Sequence, residues 1–169
     1  MKKTFVMLVA LLMSMSATVF AQSIGVFTWD ASGPYTNIRN APNGKVVDRI
    51  PTKEAAMILV EKPTKGWWKI IGNDYYTGDV QGILKGSYTG YWIHYSVLAM
   101  GTRNYGHEKL SIRKSPDAKA AAIYKFTEEI LLRPIEIKGD WVKVKSLDGK
   151  HTGWIEMEWL CGNSLTNCC

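Results

Sequence analysis

The chain has three cysteines, and all of them fall in its last nine residues: Cys161, Cys168 and Cys169. Disulfides can therefore bear only on the C-terminal tail. Three is odd, so one thiol stays free or pairs with another molecule. Cys161 with Cys168 or Cys169 would close a small loop, whereas pairing the adjacent Cys168 and Cys169 would be strained. The three histidines, His94, His107 and His151, lack ligand spacing, and neighbouring cysteines are poor zinc ligands, so no metal or other cofactor is expected. Beyond about residue 21 there is no second long apolar run, and so no stable membrane insertion is expected. Charge blocks are also missing. The formal charge of +6 includes two lysines at positions 2 and 3, and the remaining signs are interspersed. That pattern describes a solvated surface and gives no reason to expect a nucleic-acid partner, though it leaves room for anionic envelope polymers. No nucleophile elbow or Gly-rich phosphate loop occurs, and no segment keeps a helical stripe.

What is present begins with a leader. Lys2 and Lys3 precede an apolar run from Phe5 to Met13, then small residues, with Val19 and Ala21 suited to cleavage after Ala21. This is the composition of a secretory signal peptide, residues 1–21. No cysteine follows the cleavage region, so a lipid anchor is not expected. The mature chain is expected to be exported, periplasmic or secreted, where disulfides can form.

The rest is organised by repetition. Asn37-Ile38-Arg39-Asn40-Ala41-Pro42 returns as Ser111-Ile112-Arg113-Lys114-Ser115-Pro116, an offset of 74 residues. Trp67-Trp68-Lys69-Ile70 returns at the same offset as Trp141-Val142-Lys143-Val144, and Tyr91-Trp92-Ile93 with Leu98 returns at an offset of 62 as Gly153-Trp154-Ile155 with Leu160. Three blocks in one order indicate a duplication, with 12 extra residues in the first copy. Short apolar runs broken by turn residues predict strands throughout. Asp148-Gly149 predicts a tight hairpin, and Glu156-Met157-Glu158 a single helical turn, which His94-Tyr95-Ser96 occupies in the first copy. Ile38 and Ile112 are expected to point inward, Arg39 and Arg113 to point out or bridge to a loop, and Trp67 and Trp141 to fill the interiors.

Taken together, the Asn-Ile-Arg-x-x-Pro, Trp-x-Lys-Ile/Val and Gly-Trp-Ile blocks resemble bacterial SH3-like domains. The resemblance implies an all-β chain of two small SH3-like, partly open β-barrels in tandem. The first spans 22–98 with an inserted hairpin around Asn73 to Gly90, and the second spans 99–169 with the cysteine-containing tail. It also implies an envelope setting, since such domains often bind peptidoglycan or accompany cell-wall hydrolases. Papain-like hydrolases of that kind need a further domain carrying Cys and His, and the chain ends after the second repeat. His151 and Cys161 alone lack an orienting group, so no enzyme is expected. The carboxylates Glu128, Glu129, Glu156 and Glu158 read as solvated turns.

Positions filled alike in both copies serve the shared scaffold, whereas aromatics in one copy only are free for binding. Tyr35, Trp68, Tyr91 and Tyr95, with Tyr75 and Tyr76 of the insertion, are the candidate ligand-binding residues. Their rings can stack on sugar or peptide, or pack against the second barrel. The expected partner is a peptidoglycan fragment. The alternative is an envelope protein, with the chain acting as inhibitor or scaffold for a separate enzyme.

Overall fold

A computed structural model describes residues 22–53, 55–77, 80–81 and 88–164. The leader, Cys168 and Cys169 lie outside them, as do the side chains of Tyr75 and Tyr76. The fold is all-β. Its strands are β1 (Ser23–Thr28), β2 (Tyr35–Arg39), β3 (Val46–Pro51), β4 (Ala56–Thr64), β5 (Trp67–Thr77), β6 (Val80–Gln81), β7 (Trp92–His94), β8 (Leu98–Thr102), β9 (Leu110–Arg113), β10 (Ala122–Phe126), β11 (Leu131–Lys138), β12 (Trp141–Ser146), β13 (Thr152–Glu156) and β14 (Leu160–Cys161). Two single 3-10 turns, Tyr95–Val97 and Met157–Trp159, stand where a helical turn is expected in each copy. Among the described residues no helix is long and apolar enough to cross a membrane.

The antiparallel sheet runs β10-β9-β13-β12-β11-β8-β1-β4-β5-β7-β2-β3 and does not close on itself. This order is the same in both directions from its middle, and so is the register. Val26 lies opposite Ile58 as Met100 lies opposite Leu132. Trp67, Trp68 and Lys69 face His94, Ile93 and Trp92 as Trp141, Val142 and Lys143 face Glu156, Ile155 and Trp154. The hydrogen bonds repeat too. Ala56 N–H donates to Thr28 Oγ1 at 3.0 Å, and Ile130 N–H to Thr102 Oγ1 at 2.9 Å. Arg39 and Arg113 each donate from Nη1 to a carbonyl of the following loop, Gly44 at 2.7 Å and Ala120 at 2.9 Å. These bonds hold the loops to the strands, the bridging role expected of both arginines.

The centre of the sheet is β8, which serves both halves. Leu98 and Ala99 pair with Thr28 and Phe27 of β1, as Leu160 and Cys161 pair with Thr102 and Gly101. Met100 and Gly101 then pair with Leu132 and Leu131 of β11. One five-residue strand ends the first set of strands and begins the second.

Strand alternation decides what is inside. Trp68 and Ile70 in β5, and Val142 and Val144 in β12, are fully buried with Ile38, Ile93, Ile112 and Leu132. Trp67 and Trp141 have the opposite parity. The expectation that these two fill the interiors is therefore corrected: Trp68 and Val142 occupy that place. The Trp68 indole Nε1–H donates to Pro134 O of β11 at 3.0 Å, which joins the first half to the second. Arg133 adds to the seam, donating from Nη1 to Trp29 O at 3.2 Å and Leu98 O at 3.1 Å.

Candidate functional site

On the face away from the core, the two halves present equivalent tryptophans in unlike surroundings. In the first half, Trp67 is covered. The Arg39 guanidinium carbon stands 5.7 Å from the centre of its ring, a cation–π arrangement. The His94 ring lies 4.9 Å from Trp67 and 4.6 Å from Tyr95. His94 Nδ1 lies 2.8 Å from the Ser96 hydroxyl and caps the 3-10 turn. Burial in this stack pushes the His94 imidazole below its ordinary value. Gly66 makes room for the stack. Its φ is +82°, and a Cβ there would stand 2.8 Å from Tyr95 Cδ1. The Tyr95 N–H in turn donates to Gly66 O at 2.8 Å.

The second half keeps the backbone and changes the side chains. Met157 N–H donates to Asp140 O at 2.8 Å, the counterpart of the Tyr95–Gly66 bond. Asp140 replaces Gly66, Glu156 replaces His94, Met157 replaces Tyr95, Glu158 replaces Ser96 and Asp117 replaces Asn43. The result is an open groove of about 790 Å³ beside half-buried Trp141, with Met157, Pro116 and Ala118 as further apolar lining and Asp117, Asp140, Glu156 and Glu158 as acidic lining. Among the described residues, none of these four carboxylates has an ion-pair partner. No group of three His, Cys, Asp or Glu among the described residues is arranged to hold a metal ion. The groove suits stacking and charge pairing with an extended ligand.

The residues nominated from sequence do not come together as one surface. Trp68 is 0% exposed, so it is removed from the candidate binding surface: its parity turns it into the core. Tyr95 is half-buried and spent in the His94 stack. Tyr35 and Tyr91 are exposed, at 49% and 37%. Tyr35 sits in β2 opposite Pro51, and the Tyr91 backbone holds the start of β7 to β5, accepting from Ile70 N–H at 2.9 Å. Tyr75 and Tyr76 are placed only by backbone, Tyr75 opposite Ala56 and Tyr76 opposite Gln81 of the inserted hairpin. Cys161 is buried in β14, and its expected partner Cys168 lies outside the described residues.

Sequence reasoning missed the acidic groove. The signal was available in the comparison of copies. Four positions that are neutral or basic in the first copy, Asn43, Gly66, His94 and Ser96, all become acidic in the second. Searching the copies for unmatched aromatics alone passed over them.

Residues 108–160 match the family model for the bacterial SH3 domain. That span begins after β8 and ends at Leu160, and it holds every lining residue of the groove. No curated protein matches the chain. Among solved structures, the chain is similar to NlpC2 from Trichomonas vaginalis, with 10% identity and a TM-score of 0.31 over 88% of this chain and 52% of that one. It is also similar to NlpC1 from Trichomonas vaginalis, with 11% identity and a TM-score of 0.30 over 90% of this chain and 50% of that one. The chain thus spans about half the length of each.

Proposed function

We propose, from the bacterial SH3 domain at 108–160, that this chain is a non-catalytic binding module of the cell envelope that engages peptidoglycan peptide or glycan. The observation that carries the reading is the open groove beside Trp141, which offers a stacking ring and polar groups in one place. Residues 22–98 act as a second SH3-like unit in this reading, supported by their matching register. Export through the leader is part of the same reading, as is pairing of Cys161 with Cys168 or Cys169 in an oxidising compartment. Non-reducing peptide mapping of the exported protein that finds three free thiols would refute the pairing.

The groove moves the proposed ligand surface from the first half to the second. The test is sedimentation of the purified mature chain with purified peptidoglycan, for the parent and for Trp141→Ala. The parent is expected to sediment. Burying a large ring is worth roughly 1.5–3 kcal/mol, so the variant is expected to bind at least about tenfold more weakly. A parent that stays in solution rejects the peptidoglycan reading. Capture of a protein from the envelope fraction, lost in Trp141→Ala, would assign the groove to a protein partner instead.

A further inference from the structure

We propose that the Trp141 groove selects a peptide that carries a free side-chain ammonium, the cation lying against the indole face and between the carboxylates. The inference rests on the groove being the binding site and adds the chemistry of its ligand. Three observations carry it. The chain is basic overall at +6, yet four of its 15 acidic residues line this one groove, so the local field opposes the global one. The carboxylates do not converge on a metal point. Spread along a groove of about 790 Å³, they suit an organic cation with a chain attached. The third observation is internal to the molecule. At the equivalent tryptophan of the first half, the fold already seats a cation on the ring, the Arg39 guanidinium over Trp67. The second half keeps the tryptophan, half-buried at the groove, and replaces His94 by Glu156, and among the described residues the carboxylates have no ion-pair partner.

The carboxylates have little else to do. Asp117 Oδ1 accepts from Lys119 N–H at 2.8 Å, a local turn bond that leaves its charge uncompensated. The nearby Lys143 is committed elsewhere: its Nζ lies 3.7 Å from Glu136 and 5.8 Å from the centre of the Trp154 ring.

The probes are a pentapeptide with one free lysine ammonium and the same peptide acetylated on that amine, titrated into the full mature chain by calorimetry. The free amine is expected to bind at least about tenfold tighter, the ordinary worth of one well-placed charge contact. Asp140→Asn with Glu156→Gln, both at surface carboxylates, is expected to abolish the difference without changing the unfolding midpoint. Equal binding of the two peptides, or a preference that survives in the double variant, overturns the proposal. A parallel experiment separates this inference from the envelope reading. Peptidoglycan is sedimented with the protein before and after acetylation of its amines. Equal sedimentation in both forms keeps the envelope reading and rejects the ammonium. A tighter free-amine peptide with no sedimentation at all keeps the ammonium and rejects peptidoglycan as its carrier.

Discussion

At the scale of the residue, neighbours in one strand have opposite fates. Trp67 and Trp68 are adjacent, and strand alternation sends one outward and one inward. The sequence shows the pair clearly but does not label the inner member. Matching Trp67 to Trp141 favoured the wrong one, because the inner position is Trp in one copy and Val in the other. The buried isoleucine at 70, two residues on, marks the correct parity. Trp68→Ala is therefore a stability variant, expected to cost about 3–5 kcal/mol by the loss of a buried ring. Trp68→Phe keeps a ring but leaves Pro134 O without its indole donor, at a cost of roughly 1–3 kcal/mol from that carbonyl alone. Urea unfolding of both variants checks the order. His94 makes a second prediction. Its folded pKa lies below its ordinary 6.5, so the unfolded chain binds more protons between the two values. Stability is then complete above the unfolded value and begins to fall as pH drops below it, levelling off beneath the folded value. The urea midpoint is expected to fall from about pH 7.5 to about pH 5, and to fall less in His94→Gln.

At the scale of the element, the strands were legible because the sequence writes most of them twice. Alternation, turn residues and the two offsets gave the hairpin at Asp148-Gly149, where Gly149 has φ +77°, and both 3-10 turns. The double duty of β8 was not legible. The stretch from Leu98 to Gly106 reads as a join, since a linker and a shared strand differ only in which partners lie on each side. The threonines at the ends of β1 and β8 show how closely the copies agree. Thr28 Oγ1 accepts a buried N–H and Thr102 Oγ1 a part-buried one. Valine at either position keeps the shape and removes the acceptor, and an orphaned buried donor costs about 1–3 kcal/mol. Thr28→Val is expected to be the more damaging of the two by equilibrium denaturation, because Ala56 N–H is the less accessible to water.

At the scale of the whole molecule, the sheet holds two similar frames with different surfaces and one shared middle. The halves can differ at Trp67 and Trp141 because those positions lie outside the core that fixes the register. They cannot readily separate, because β8 completes one set of strands and starts the other. Removing β8 would strip β1 and β11 of a neighbour at once. The Trp68–Pro134 bond, which is buried, and the two carbonyls held by Arg133 add polar contacts across the same seam. Burial also disfavours the charged form of Arg133, which makes its hydrogen bonds to Trp29 O and Leu98 O the compensation for its desolvation. Two independent domains would unfold in two steps, each sensitive to mutations in its own half. A shared strand and a bonded seam predict a single step. Circular dichroism and tryptophan fluorescence should therefore give coincident urea curves. Thr28→Val in the first half and Thr102→Val at the start of the second should each move the entire curve to lower urea with its slope preserved. A biphasic curve in which Thr28→Val shifts only one phase would show that β8 is a linker between separately folding units.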